Sequence, residues 1–98
     1  MQHFLAIDQG TSGTKAIVVD DAGQVVSIAE VAVRPEYLAG GGVEQDPEAL
    51  FASVVTAGRQ ASAQAGVPVA AVALANQGET VLAWDRATGR PLTPAVVW

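Results

Sequence analysis

Asp8-Gln9-Gly10-Thr11-Ser12-Gly13-Thr14-Lys15 lies between two apolar runs, Phe4-Leu5-Ala6-Ile7 and Ala16-Ile17-Val18-Val19, and the three segments read as a β-hairpin with a polar tip. Glycine at positions 10 and 13 permits backbone conformations that other residues enter only at a steric cost, so successive N–H groups can turn toward one anion. The hydroxyls of Thr11, Ser12 and Thr14 add donors, Lys15 adds a cation, and Asp8 at the strand exit can hold a metal that bridges phosphate oxygens. Composition alone leaves two readings open: a phosphate clamp, or a Gly/Ser/Thr turn whose side chains satisfy only local backbone groups.

Spacing removes two other phosphate motifs. A P-loop needs Gly-Lys-Ser/Thr in direct succession at the start of a helix, whereas Lys15 follows Thr14 and opens a β-run. The dinucleotide fingerprint needs a third glycine at a helix start, and none follows Gly13 at that spacing. What remains is a strand–loop–strand clamp.

The chain around this hairpin has 98 residues, half of them hydrophobic and 15% charged, which is globular composition for one domain or less. A net charge of −5 and a pI near 4.5 disfavour nucleic acid or an anionic membrane as partner, because both need a basic face. With no cysteine there is no disulfide frame, thiolate nucleophile or zinc-thiolate site, and a cytoplasmic location is the natural expectation. The single His3 cannot build a metal cluster. No basic leader precedes the first apolar run, and the run from 67 to 75 is far short of the roughly 20 residues that span a bilayer.

Residues 3 to 8, 14 to 20 and 25 to 33 are expected to form an antiparallel meander, with Asp20-Asp21-Ala22-Gly23-Gln24 as its second turn. Residues 34 to 45, with Pro35 and three consecutive glycines, read as irregular. A helix starts clearly after them: Asp46 caps it, Pro47 takes its first position, and Glu48 lies where the helix dipole favours an anion. Leu50, Phe51, Val54, Val55, Gly58 and Ala61 form its predicted buried face, and Gly66 with Pro68 ends it. Residues 69 to 75 are apolar without alternation, as in a strand covered on both faces. The helix before them makes a crossover, so this strand should run parallel to the first and bring Asn76-Gln77-Gly78-Glu79 beside Asp8. Residues 80 to 84 read as a further β-run, 85 to 89 as a turn, and the apolar run reaching Trp98 as an unpaired edge.

Four ordered blocks carry a resemblance over nearly the whole chain: the hairpin tip; Gly42-Val43-Glu44-Gln45-Asp46-Pro47; Asn76-Gln77-Gly78-Glu79-Thr80; and Trp84-Asp85 with Thr88-Gly89-Arg90-Pro91 and Ala95-Val96-Val97-Trp98. The hairpin resembles the first phosphate-binding hairpin of the sugar kinase, actin and heat-shock ATPase superfamily. The set as a whole looks like the start of an FGGY-family carbohydrate kinase, nearest the glycerol kinase pattern. The fold implied is α/β, an actin-like, ribonuclease H-like half-domain made of a three-stranded antiparallel meander, a crossover helix and a parallel strand. Residues 1–98 would then be an incomplete first domain.

The activity implied is Mg²⁺-dependent transfer of phosphate from ATP to a hydroxyl of a sugar or polyol. By resemblance Asp8 positions the metal, while Gly10, Thr11, Ser12 and Gly13 form the loop over the transferring phosphate. Lys15 stands where glycerol kinases carry an arginine that contacts nucleotide phosphate. Glu79 matches an acid that accepts hydrogen bonds from substrate hydroxyls, Trp98 matches an aromatic wall of that pocket, and Trp84 is expected in the core. Gly78 departs from the pattern: glycerol kinases have an arginine there. The general-base aspartate, the adenine pocket and the second lobe of the family fall beyond residue 98. The competing class is a non-catalytic actin-like nucleotide-binding or assembly module. One helix is too little to cover both faces of the sheet, so a homo-oligomer is expected.

Overall fold

The computed structural model describes residues 1–97. Strands β1 (His3–Gln9), β2 (Gly13–Asp20) and β3 (Val25–Ala32) form the expected antiparallel meander. Alternation decides its two faces: Leu5, Ile7, Thr14, Ala16, Val18, Ser27 and Ala29 are buried on one side, while Asp8, Lys15, Ile28 and Glu30 are exposed on the other. The β2–β3 turn is closed by Asp20, whose Oδ1 accepts from the amides of Ala22 and Gln24, both at 2.9 Å. Gly23 takes the left-handed position there, at φ 82°.

Helix α1 (Pro47–Ala65) lies across the buried face of β1, β2 and β3. Its ends are as predicted: the Asp46 carboxylate accepts from the Glu48 amide at 3.0 Å, and Gly66 closes the helix at φ 64°, its N–H bonded to the Ser62 carbonyl. Its buried stripe differs from the expected one. Gly58 and Ala61 are buried and Val54 packs at the core's margin as expected, but Phe51 is 70% exposed, and Ser53 and Ala57 lie with Gly58 and Ala61 against the sheet. These small residues bring the helix axis close to the sheet; a Cβ on Gly58 would lie 3.3 Å from Ile7 Cδ1, tighter than ordinary contact. Phe51 instead lines an outer groove with Leu82, Trp84 and Pro91. Trp84, expected in the core, is 57% exposed.

Strand β6 (Ala71–Asn76) returns parallel to β1, giving the sheet order β3-β2-β1-β6. Its apolar run had suggested cover on both faces, yet all of its residues are exposed because the helix sits over the meander. Val72 and Leu74 are the large side chains left bare.

Between β3 and α1 the chain is more regular than its glycines suggest. Strands β4 (Glu36–Tyr37) and β5 (Val43–Gln45) pair across a turn in which Gly40 and Gly41 adopt φ 92° and 93°, and β7 (Ala95–Val97) completes a second sheet of order β4-β5-β7. Residues 80 to 84 are not the expected strand; they contribute single bridges, Val81 to Val96 and Trp84 to Pro91. Among the described residues β7 pairs with β5 on one side and is bridged to Val81 at Val96 on the other, so the edge expected to be open is partnered there, and Ala95 and Val97 are buried. At the 85–89 turn the Asp85 carboxylate accepts from the amides of Thr88 and Ala87, which hold it below its usual carboxylate range. No helix among the described residues is long and apolar enough to cross a membrane.

A buried hydroxyl pair fixes the helix on the sheet. Ser53 Oγ donates to the Leu50 carbonyl at 2.6 Å, so the 2.7 Å contact with Thr14 Oγ1 has Thr14 as donor. Ser53→Ala strands the fully buried Thr14 hydroxyl and is expected to cost about 1–3 kcal/mol in urea unfolding, whereas adding Thr14→Val to it recovers part of the loss. Additive losses in the double variant would contradict the pairing. The bare faces of β6 carry a second expectation: the isolated 98-residue chain self-associates as concentration rises, and a monomer throughout a sedimentation dilution series would contradict it.

Candidate active site

The β1–β2 hairpin ends in the polar tip at 10–12, and its register sets Asp8 opposite Lys15. Cross-strand partners share a face, so both side chains stand on the helix-free side, where they line an open groove of about 430 Å³ with Ala6, Ile17, Ala73, Leu74 and Ala75. Thr14 points the other way. It is fully buried against Ser53 and is no donor at the tip, contrary to its expected role.

Glycine is required at the tip for a different reason from the one anticipated. Neither Gly10 nor Gly13 has a positive φ. The Gly10 N–H bonds the Gly13 carbonyl at 2.9 Å, and a Cβ on Gly10 would sit 3.1 Å from that same oxygen. The tip is thus a tight backbone loop whose first amide is already engaged. Ser12 remains exposed, and its carbonyl accepts from the Val33 amide at 3.2 Å, tying the tip to the end of β3.

Parallel pairing carries β6 to the same edge, with Asp8 beside Ala75 and Gln9 beside Asn76. The loop that follows therefore leaves the sheet next to the hairpin tip, as the crossover predicts. Contact is direct: Thr11 Oγ1 donates to Gln77 Oε1 at 2.8 Å. Gln77 Nε2 donates to Gln45 Oε1 at 2.8 Å, and Gln45 Nε2 donates to the Thr11 carbonyl at 2.8 Å. The three residues form a closed ring joining the hairpin tip, β5 and the loop after β6. Two residues on, Glu79 is exposed with φ 56°, the one non-glycine residue in the left-handed region among those described. A β-substituted residue held there stores about 1–3 kcal/mol of strain. Gly78 is exposed, with nothing within 4 Å of where a Cβ would stand. Trp98 lies outside the described residues.

Sequence reasoning gave Gln45 and Gln77 no role of their own. A signal for Gln45 existed: in Val43-Glu44-Gln45 the period-2 pattern turns Gln45 inward, and a glutamine turned inward needs partners. Gln77 offered none, since its partners come from distant segments. No group of three or more His, Cys, Asp or Glu side chains that could hold a metal occurs among the described residues.

A meander, a crossover helix and a parallel fourth strand, with two loops meeting at the strand ends, make this an actin-like, ribonuclease H-like α/β unit of the kind found in sugar kinases. Residues 3–98 match the N-terminal domain of the FGGY family of carbohydrate kinases, and the chain belongs to that family. The glycerol kinase of Rhodospirillum centenum is 47% identical over 98 residues, covering 97% of this chain and 20% of that enzyme. That of Sinorhizobium fredii is 43% identical over 99 residues, covering 98% of this chain and 20% of that enzyme. The crystal structure of Plasmodium falciparum glycerol kinase with ADP superposes with a TM-score of 0.91 at 30% identity, over 100% of this chain and 20% of that one. The chain thus spans about a fifth of the length of these relatives.

The two site glycines should behave differently on substitution. Gly10→Ala pushes a methyl against the Gly13 carbonyl and is expected to cost about 1–2 kcal/mol, while Gly78→Ala enters open space and changes stability by less than about 0.5 kcal/mol. Urea midpoints of the two variants check this; equal shifts would show that the tip is looser than described.

Proposed function

We propose that this chain is the N-terminal portion of an ATP-dependent kinase that phosphorylates a hydroxyl of a sugar or polyol. The observation that carries the reading is the closed ring of Thr11, Gln77 and Gln45, which holds a Gly/Ser/Thr hairpin tip against a loop bearing a strained, exposed carboxylate at Glu79. Family membership and the likeness to glycerol kinases support it.

In this reading Gly10, Thr11, Ser12 and Gly13 lie along the transferring phosphate, and the Lys15 ammonium, on the same face as Asp8, offsets charge that spreads over phosphate oxygens in the transition state. Asp8 fits a magnesium ion by its chemistry: a single exposed carboxylate at a strand end suits a hard cation that takes its other ligands from water and phosphate. When bound, that ion would neutralise phosphate charge. Glu79 accepts hydrogen bonds from acceptor hydroxyls and so orients the attacking oxygen. Gly78 leaves room beside it, which favours an acceptor bulkier than glycerol. Trp98, outside the described residues, is assigned to the acceptor site by sequence resemblance.

A second reading, a non-catalytic actin-like assembly module, draws on the bare apolar faces of β6. Acceptor-dependent ATP turnover by the intact protein, assayed over polyols, ketoses and aldonates, separates the two, since an assembly module shows none. In the active enzyme Asp8→Asn is expected to lower kcat at least a hundredfold at saturating Mg²⁺. Glu79→Ala removes a charged acceptor of about 1.5–3 kcal/mol, so acceptor KM rises roughly ten- to a hundredfold while ATP KM stays within about threefold. An effect of Glu79→Ala on ATP alone would remove it from the acceptor site.

A further inference from the structure

We infer that Gln45 and Gln77 are positioning residues that lock the hairpin tip and the loop after β6 into one register, and so set the distance between phosphate and acceptor hydroxyl; the inference rests on the kinase reading of that site.

The ring has only one self-consistent sense. The Thr11 carbonyl can only accept, so Gln45 must turn its NH₂ group toward it, at 2.8 Å. The Gln45 oxygen then faces Gln77, which must answer with its own NH₂ group, and the Gln77 oxygen is left to take the Thr11 hydroxyl proton. Flipping either amide sets like groups face to face. Each glutamine therefore works as donor and acceptor at once, which a carboxylate or an aliphatic chain of the same length cannot do.

Position explains what the ring transmits. Gln45 is 3% exposed and is the last residue of β5, paired with the buried Ala95 of β7 and placed directly before Asp46, the cap of α1. It thus belongs to the second sheet and to the helix start, not to either loop of the proposed site. From that fixed point it reaches the backbone of the hairpin tip on one side and the side chain of Gln77 on the other. Gln77 in turn anchors the short path to Gly78 and Glu79, where Glu79 is held at positive φ. The ring at Gln77 and the bridge from Val81 to Val96 hold the short segment carrying Glu79 at its two ends, and among the described residues it is the ring that ties this segment to the hairpin tip through Gln77. The β1–β6 ladder ends at Gln9 and Asn76, so registration beyond it falls to these side chains.

The test uses the intact protein with Gln45→Leu, Gln77→Leu and the double variant. Amide hydrogen exchange is the readout independent of turnover: each single variant is expected to speed exchange at least tenfold in both 10–13 and 77–80, with α1 unchanged. Kinetically, each single variant should lower kcat at least tenfold at saturating substrates, and the double variant should fall within about twofold of the worse single, because one broken link opens the ring. Gln45→Leu changes a buried position; if it fails to fold, Gln77→Leu on the half-exposed loop carries the same expectations at 10–13. Faster exchange confined to the mutated residue's own segment, unchanged kcat, or multiplicative losses in the double variant would each overturn the inference. A wild-type protein with no acceptor-dependent turnover would refute the kinase reading instead, and the exchange experiment would still decide whether the ring couples the loops.

Discussion

Parallel pairing of β6 with β1 is the constraint from which the rest of the molecule follows. Parallel neighbours cannot be joined by a tight turn, so the chain must leave the sheet, cross one face and return, and α1 is that crossing. Once Leu5 lies beside Val72 and Gln9 beside Asn76, the two strands end at one edge and release their loops into the same space. That two loops meet at that edge is a consequence of topology before any side chain is considered.

Directional bonds then convert topology into geometry. A stripe of alanine, glycine and serine lets α1 approach closely but specifies its position along the sheet poorly, because small apolar surfaces slide. Two buried hydroxyls remove that freedom: Thr14 on Ser53, and Ser27 Oγ donating to the Ala61 carbonyl at 2.6 Å. Among the described residues no buried side-chain polar atom lacks a partner, so these bonds lock the packing without the penalty that an orphaned group carries. The glutamine ring extends the same device from the core to the loops.

Much of this was legible in the amino-acid sequence, and what was not has a common cause. The meander, the helix limits at Asp46 and Gly66 and the parallel return of β6 each rest on local patterns such as alternation, capping and turn chemistry. Phe51, Trp84, Thr14 and the second sheet were misread because their places depend on partners far away in the chain. Helical spacing alone puts Phe51 on an apolar face, whereas the buried helix positions against the sheet are the small residues Ser53, Ala57, Gly58 and Ala61. Strand β5 is three residues long and exists because β7, some fifty residues later, pairs with it. Of the candidate site residues, Asp8, Lys15, Gly78 and Glu79 stand at or beside the two loops the crossover predicts. The glutamines that connect those loops carry no motif, and only a fold brings them together.

In the proposed function the hairpin tip and the loop after β6 form a single site in which nucleotide phosphate meets an acceptor hydroxyl. A crystal structure of the intact protein with ADP, Mg²⁺ and a phosphorylatable polyol or sugar tests it most directly. A phosphate oxygen is expected within hydrogen-bond distance of the backbone at 11–13 and an acceptor hydroxyl on the Glu79 carboxylate, with the Thr11–Gln77–Gln45 ring intact between them. Nucleotide phosphate or acceptor bound away from these two loops would contradict it.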